Sequence, residues 1–270
     1  MKLTDILKEL EQVQSEAFEE KADRRHILRN LGFKVAKIAS PFAIAGLTVN
    51  KVAAKTTDIL AEAIVFMLNM SYMQADFYKQ ALAVGGLIPD SQKGGFQKIL
   101  KDKNAHIAYW ISHLNKTGNV VPTVPAYDFT GKGTLPKTLS DYKAFLTLAH
   151  AIEDAGVRMY LTGIDMLISN KAFRSDAMNM ATVNARHAAH VRLLRRNTGV
   201  DMMPWVSGTE AYSLVGEIKK AYQNEDNTNQ LKVSTVGING FDISFNAATE
   251  AFDEKMGLAD AEIFMRPFIV

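Results

Sequence analysis

One helix pair is written into this chain twice, and that duplication limits the folds open to it more than any other feature. The first copy runs Leu68-Asn69-Met70-Ser71-Tyr72-Met73-Gln74-Ala75-Asp76-Phe77-Tyr78 and continues, further on, with Asp102-Lys103-Asn104-Ala105-His106. The second runs Ala151-Ile152-Glu153-Asp154-Ala155-Gly156-Val157-Arg158-Met159-Tyr160, followed by Asn184-Ala185-Arg186-His187. Aligning Tyr78 with Tyr160 pairs Ser71 with Glu153, and these positions lie 35 and 34 residues before His106 and His187. The units are therefore offset by 81 or 82 residues. In each, an i, i+3 spacing sets two side chains on one helix face, Lys103 with His106 and Asn184 with His187. The repeat predicts an all-α four-helix bundle with Ser71, Lys103, Glu153 and Asn184 facing one another in its middle.

The flanks and connections extend this plan. Residues 2–21 carry apolar positions at helical spacing (Leu3, Ile6, Leu7, Leu10, Val13, Ala17) with acidic residues opposite, which reads as an amphipathic helix in need of a partner surface. Arg24-Arg25-His26-Ile27-Leu28-Arg29 and the apolar run Val35 to Val49, with Val52-Ala53-Ala54 beyond, read either as a twin-arginine-type export signal or as a basic helix start packing on the bundle. The first bundle helix is expected from Thr57 to Leu82, ended by Gly85-Gly86. Asp90-Ser91 can cap the second, which runs to about Asn115 with Ile99, Ala105, Ile107, Trp110, Ile111 and Leu114 as its buried stripe. Thr117 to Lys137, punctuated by Pro and Gly, has the length of a crossover. The third helix runs from near Ser140 to about Ile168, and the fourth from Asn170 or Ser175 to Arg196. Beyond Gly199 the expectation is an amphipathic helix from Glu210 to Tyr222, a small hairpin within Lys232 to Phe245, a helix from Ala247 to Lys255 and an apolar docking tail from Met256 to Val270. The expected domains are a helical arm over 1–56, the bundle over 57–200 and an extension over 201–270.

Composition removes several function classes. A net charge of +2 over 270 residues, with no long basic run, gives no electrostatic case for nucleic acid. Zero cysteines exclude disulfide frameworks and thiolate metal sites. No stretch reaches the roughly 18 uninterrupted apolar residues of a membrane-spanning helix, so membrane contact is not indicated. There is no Gly-x-Ser-x-Gly and no phosphate loop.

Several segments in combination resemble the bacterial ferritin-like proteins related to plant desiccation-related proteins. They are Leu68-Asn69 through Phe77-Tyr78, Asp102 to His106, Glu153-Asp154-Ala155-Gly156-Val157 with Tyr160-Leu161, Ala185-Arg186-His187-Ala188-Ala189, Glu225-Asp226-Asn227-Thr228 and Glu250-Ala251-Phe252-Asp253-Glu254. The resemblance spans roughly residues 57–270 and implies a ferritin-like four-helix bundle with a small, mostly irregular C-terminal extension containing a β-hairpin. Bundles of that kind hold two metal ions with one Glu from each of two helices and a Glu-x-x-His pair from each of the others. Members that keep the site carry Glu at the positions of Ser71, Lys103, Glu153 and Asn184. This chain keeps only Glu153 and the two histidines, so the resemblance implies a degenerate di-iron site at Ser71, Lys103, His106, Glu153, Asn184 and His187.

Iron or manganese needs several anionic oxygen ligands, and Lys103 would place an ammonium where a dication has to sit. His106, His187 and Glu153 could still compose a zinc-type set, but Lys103 works against it. The expectation is therefore no metal, no cofactor and no catalytic residue, with Lys103 paired to Glu153 across the bundle and the two histidines satisfied within the core. The alternative is a residual iron-binding or iron-oxidising protein that uses iron at His106, Glu153 and His187. His26, His113, His150 and His190 form no ligand spacing with one another. Met67, Met70, Met73 and Met159 read as core filler, and Tyr78 and Tyr160 as core residues with bonded hydroxyls. The expected role is a non-catalytic, structural, self-assembling or stress-protective scaffold, a homo-oligomer held through the N-terminal arm and the C-terminal tail. A cytoplasmic location is expected, with twin-arginine export as the alternative.

Overall fold

The computed structural model describes residues 58–209, 214 and 216–270, and the arm over 2–21 and the Arg24-Arg25 segment lie outside them. Four long helices form the bundle: α1 (Ile59–Ala83), α2 (Asp90–Lys116), α3 (Tyr142–Met166) and α4 (Lys171–Arg196). Their starts follow from local chemistry. Asp58 caps α1 by accepting from the Leu60 and Ala61 amides, Asp141 caps α3 through Ala144, and Asn170 caps α4 through Phe173. Basic side chains sit in the final turns of α2 (His113, Lys116) and α4 (Arg195, Arg196), where the helix dipole favours them. Gly86, at φ 77°, turns the chain out of α1.

Helices α1 and α3 are apolar around most of their circumference, and both lie in the middle of the packing. α1 packs on α2 and α3, while α3 also packs on α4 and on the C-terminal extension. The α1–α3 approach is closest at two glycines. A Cβ on Gly156 would lie 2.2 Å from Gln74 Nε2, and one on Gly163 would lie 2.6 Å from Met67. Met67, Met70, Met73 and Met159 are fully buried, as core filler should be. α2 and α4 are amphipathic, and polar side chains join them, Lys103 to Asn184 and Asp102 to His187.

The buried stripe of α2 is Phe96, Ile99, Lys103, His106, Trp110 and Leu114. Ala105 is exposed, and Ile107 and Ile111 are only partly covered. The inward face passes through the polar pair Lys103 and His106, because helix geometry ranks above side-chain polarity once α1, α3 and α4 supply partners.

Residues 117–141 make the long crossover and contain no helix. Tyr127 pairs with Ile269 in an isolated antiparallel bridge, flanked by Asp128 N donating to Phe268 O (2.8 Å) and Val270 N donating to Ala126 O (3.1 Å). Phe129 lies between Phe77 of α1, which it meets edge-on (5.0 Å between ring centres), and Phe268 (5.9 Å). Phe77, Tyr78, Phe96 and Phe145 continue that aromatic cluster across α1, α2 and α3. The apolar tail thus docks on the chain's own crossover, with Phe264, Met265, Phe268 and Ile269 buried.

The extension departs from its sequence reading in three places. The described part of the expected helix over Glu210 to Tyr222 is a 3-10 helix, Gly216–Tyr222. The hairpin lies earlier, pairing β1 (Asn229–Gln230) with β2 (Val233–Ser234) around Leu231 and Lys232, both at positive φ. The following helix, α5 (Phe245–Glu250), stops five residues short of Lys255, and a further helix, α6 (Leu258–Met265), forms in the tail. Among the described residues, no helix is long and apolar enough to cross a membrane.

Candidate functional site

Lys103 stands at the centre of the bundle. Its Nζ lies 2.7 Å from Glu153 Oε2 on α3 and 2.8 Å from Asn184 Oδ1 on α4, and all three residues are fully buried. Gln74, one turn beyond Ser71 on α1, donates to Glu153 Oε2 at 3.4 Å and to the Ile152 carbonyl at 3.3 Å. Sequence reasoning missed Gln74, although its i+3 spacing from Ser71 put it on the same face. Ser71 itself is turned aside. Its hydroxyl donates to Met67 O (2.9 Å) and meets the Tyr160 hydroxyl (3.0 Å), which also accepts from Trp110 Nε1 at 3.2 Å.

The two histidines flank this centre. His187 Nε2 is 3.1 Å from Asp102 Oδ2, so α4 is tied to α2 a second time, and its Nδ1 lies 3.8 Å from Glu153. His106 packs its ring near Tyr160, with Nδ1 unbonded. Tyr160 has the bonded hydroxyl expected of it. Tyr78 does not: its hydroxyl points toward Glu153 and feels that charge, yet falls short of hydrogen-bonding geometry.

Burial governs the electrostatics. It lowers the Lys103 pKa and raises that of Glu153, while their mutual attraction opposes both shifts. Burial, with Lys103 adding to it, takes His106 down to about 4 and His187 down to about 3, so both rings are neutral at pH 7. Burial raises the Tyr160 phenol to about 12.

A ferritin-like domain family matches residues 58–197, just over half of the chain. The chain belongs to the ferritin-like domain family. No curated protein matches it. In this ferritin-like bundle the donors at the centre do not fit a di-metal site. Glu153 gives its Oε2 to Lys103, Asn184 gives its carbonyl oxygen to the same ammonium, and Ser71 is bonded to Tyr160. One carboxylate remains, beside a fixed cation. Among the described residues, no three His, Asp or Glu side chains come together as a group able to hold a metal ion.

A second polar cluster joins the ferritin-like bundle to its extension, and nothing in the sequence pattern announced it. Arg158 of α3 donates to the carbonyls of Glu254 (2.7 Å), Ala221 (2.6 Å) and Gln223 (2.6 Å), and its Nε lies 2.5 Å from Glu225. Arg192 of α4 grips Asp154 of α3 and donates to the Trp205 carbonyl at 2.9 Å. Glu225 accepts from the Glu254 amide, and the Glu254 side chain accepts from Asn227 and Gln230. The segments 225–228 and 250–254, which carried part of the family resemblance, are thus the clasp of the extension. Burial pushes Glu225 up to about 8 against the pull of Arg158, and it raises Asp253 as well.

Proposed function

We propose that this ferritin-like protein is a non-catalytic scaffold in which Lys103 stands in for the metal, its role being structural, self-assembling or stress-protective. The observation that carries this reading is the Lys103 ammonium held between Glu153 and Asn184, at 2.7 and 2.8 Å, where carboxylates would otherwise converge on a dication. A cation tethered to α2 neutralises Glu153 without any dependence on metal supply. The resemblance to desiccation-related proteins favours a protective task over turnover. One observation favours a residual iron site: Glu153 Oε1, His106 Nδ1 and His187 Nδ1 are buried with no hydrogen-bond partner.

Metal analysis separates the two. Protein purified from cells supplemented with iron and manganese is expected to carry neither in stoichiometric amount. The combined changes Ser71→Glu, Lys103→Glu and Asn184→Glu are expected to introduce binding by rebuilding four carboxylates. Stoichiometric iron in the unmodified protein would overturn the scaffold reading.

A further inference from the structure

We propose that Lys103 and Asn184 become joined by an intramolecular isopeptide bond, Nζ to Cγ, a covalent link between α2 and α4 that the folded bundle forms on itself with Glu153 as general acid and base. The proposal goes beyond the scaffold reading, since it assigns a chemical step to the same three residues.

Four features of the centre carry it. First, Lys103 Nζ is 2.8 Å from Asn184 Oδ1, and the carbonyl carbon is one bond of about 1.2 Å further on, so nucleophile and electrophile are at most about 4 Å apart. Second, a carboxyl group touches the nucleophile, with Glu153 Oε2 at 2.7 Å from Nζ. Third, Lys103, Glu153 and Asn184 are all fully buried, so no bulk water competes for the carbonyl, and the desolvated pair is drawn toward its neutral amine and acid forms. Fourth, the would-be leaving group is unencumbered. Asn184 Nδ2 has no hydrogen-bond partner, and neither has Glu153 Oε1, which is therefore available to accept and return a proton.

The step balances without any added reactant. The Lys103 ammonium passes a proton to Glu153, and the freed Nζ lone pair attacks Cγ of Asn184. The C–N bond forms while the carbonyl π electrons move to Oδ1, which takes the proton from Glu153. As the tetrahedral adduct collapses, the carboxylate accepts a proton from Nζ and delivers it to Nδ2. The Cγ–Nδ2 bond breaks, Glu153 takes up the Oδ1 proton as the carbonyl re-forms, ammonia departs as the neutral molecule, and Glu153 ends as the buried acid beside the new amide. Amine and primary amide have become a secondary amide and ammonia, with no change of oxidation state. Holding the partners in one geometry supplies an effective concentration on the order of 10⁵ M or more, which an unactivated amide requires.

Mass spectrometry of the full chain decides it. The folded protein is incubated, denatured, digested with trypsin and read as intact mass and as peptides. The expected result is a loss of about 17 Da, the mass of ammonia, with a branched peptide linking Lys103 to Asn184 and no cleavage after Lys103. Separate linear peptides containing an unmodified Lys103 and an unmodified Asn184, after prolonged incubation, would overturn the proposal. This measurement needs no variant, and it is independent of metal analysis, so the two readings fail separately. Glu153→Gln, checked for helical content by circular dichroism, is expected to keep the full mass. Cross-linking as complete in that folded variant as in the unmodified protein would also overturn the assignment.

Discussion

Replacing Arg158 by methionine is expected to release the extension from the bundle while leaving the four helices formed. The guanidinium makes three hydrogen bonds of 2.6–2.7 Å to the carbonyls of Ala221, Gln223 and Glu254, and each bond from a charged group contributes about 1.5–3 kcal/mol. Bringing a guanidinium to 3% exposure offsets part of that sum, so the net loss is expected at about 3–5 kcal/mol. Glu225 lies 2.5 Å away, and burial raises its carboxyl to about 8 against the pull of Arg158, which weakens the ion pair. The ion pair is thus a minor part of the total, and Glu225→Gln is expected to cost less than about 1 kcal/mol. Arg158→Lys keeps the charge but loses the planar fork that reaches several carbonyls at once, and is expected to fall between the two. Urea unfolding followed by far-UV circular dichroism gives the free energies, and limited proteolysis reports cleavage after Lys219, Lys220 and Lys232 as the extension loosens. Less than about 1 kcal/mol lost in Arg158→Met, or full stability in Arg158→Lys, would refute the view that the backbone carbonyls hold the clasp.

Two further expectations concern protonation and assembly. His106, His150 and His187 have folded pKa values of about 4, 3 and 3, below the ordinary 6.5, so the unfolded chain takes up their protons first as pH falls. Their share of stability is complete above pH 6.5 and diminishes as pH falls, down to about 4 for His106 and about 3 for His150 and His187, by about 2 kcal/mol each at pH 5. The raised Glu225, Glu153 and Asp253 act in the opposite sense, so imidazole NMR signals are the clean readout: these three rings are expected not to titrate between pH 7.5 and 5, and titration of any near 6.5 would contradict its burial. For assembly, we propose that the apolar stripe of residues 2–21 contacts a second copy of the chain. Light scattering should show a smaller particle once residues 1–22 are removed, and an unchanged mass would place that stripe on the chain's own surface.

The parts of the fold that were legible in sequence were those set by local rules. Asp58 marked the start of α1, and the i, i+3 pairs with their repeat offset located Lys103 opposite Glu153 and Asn184, whereas the cap expected from Asp90-Ser91 is not made, since Pro89 precedes α2 and no side chain caps it. Polarity misled in one place, putting Ala105 inside when the inner face belongs to Lys103 and His106. The hairpin was misplaced because its turn residues are Leu231 and Lys232, at φ 49° and 69°, where an Asn-Gly pair would have signalled it. The clasp was invisible for a deeper reason. Arg158 bonds largely to backbone carbonyls, which every residue has, and Arg192 adds the Trp205 carbonyl to its grip on Asp154, so no side-chain pattern marks the partners in the extension.

The bridge between the crossover and the tail sets an order of events during synthesis. Asp128 and Phe268 are 140 positions apart, so at ribosomal rates about 10 s separates the emergence of the two edges. All four bundle helices are out of the ribosome in that interval and can pair by short-range contacts. The backbone at 126–128 and the ring of Phe129 wait meanwhile for Phe268 to cover them. A nascent bundle of this kind therefore displays an unpaired edge beside an aromatic patch, the combination by which neighbouring nascent chains pair with one another.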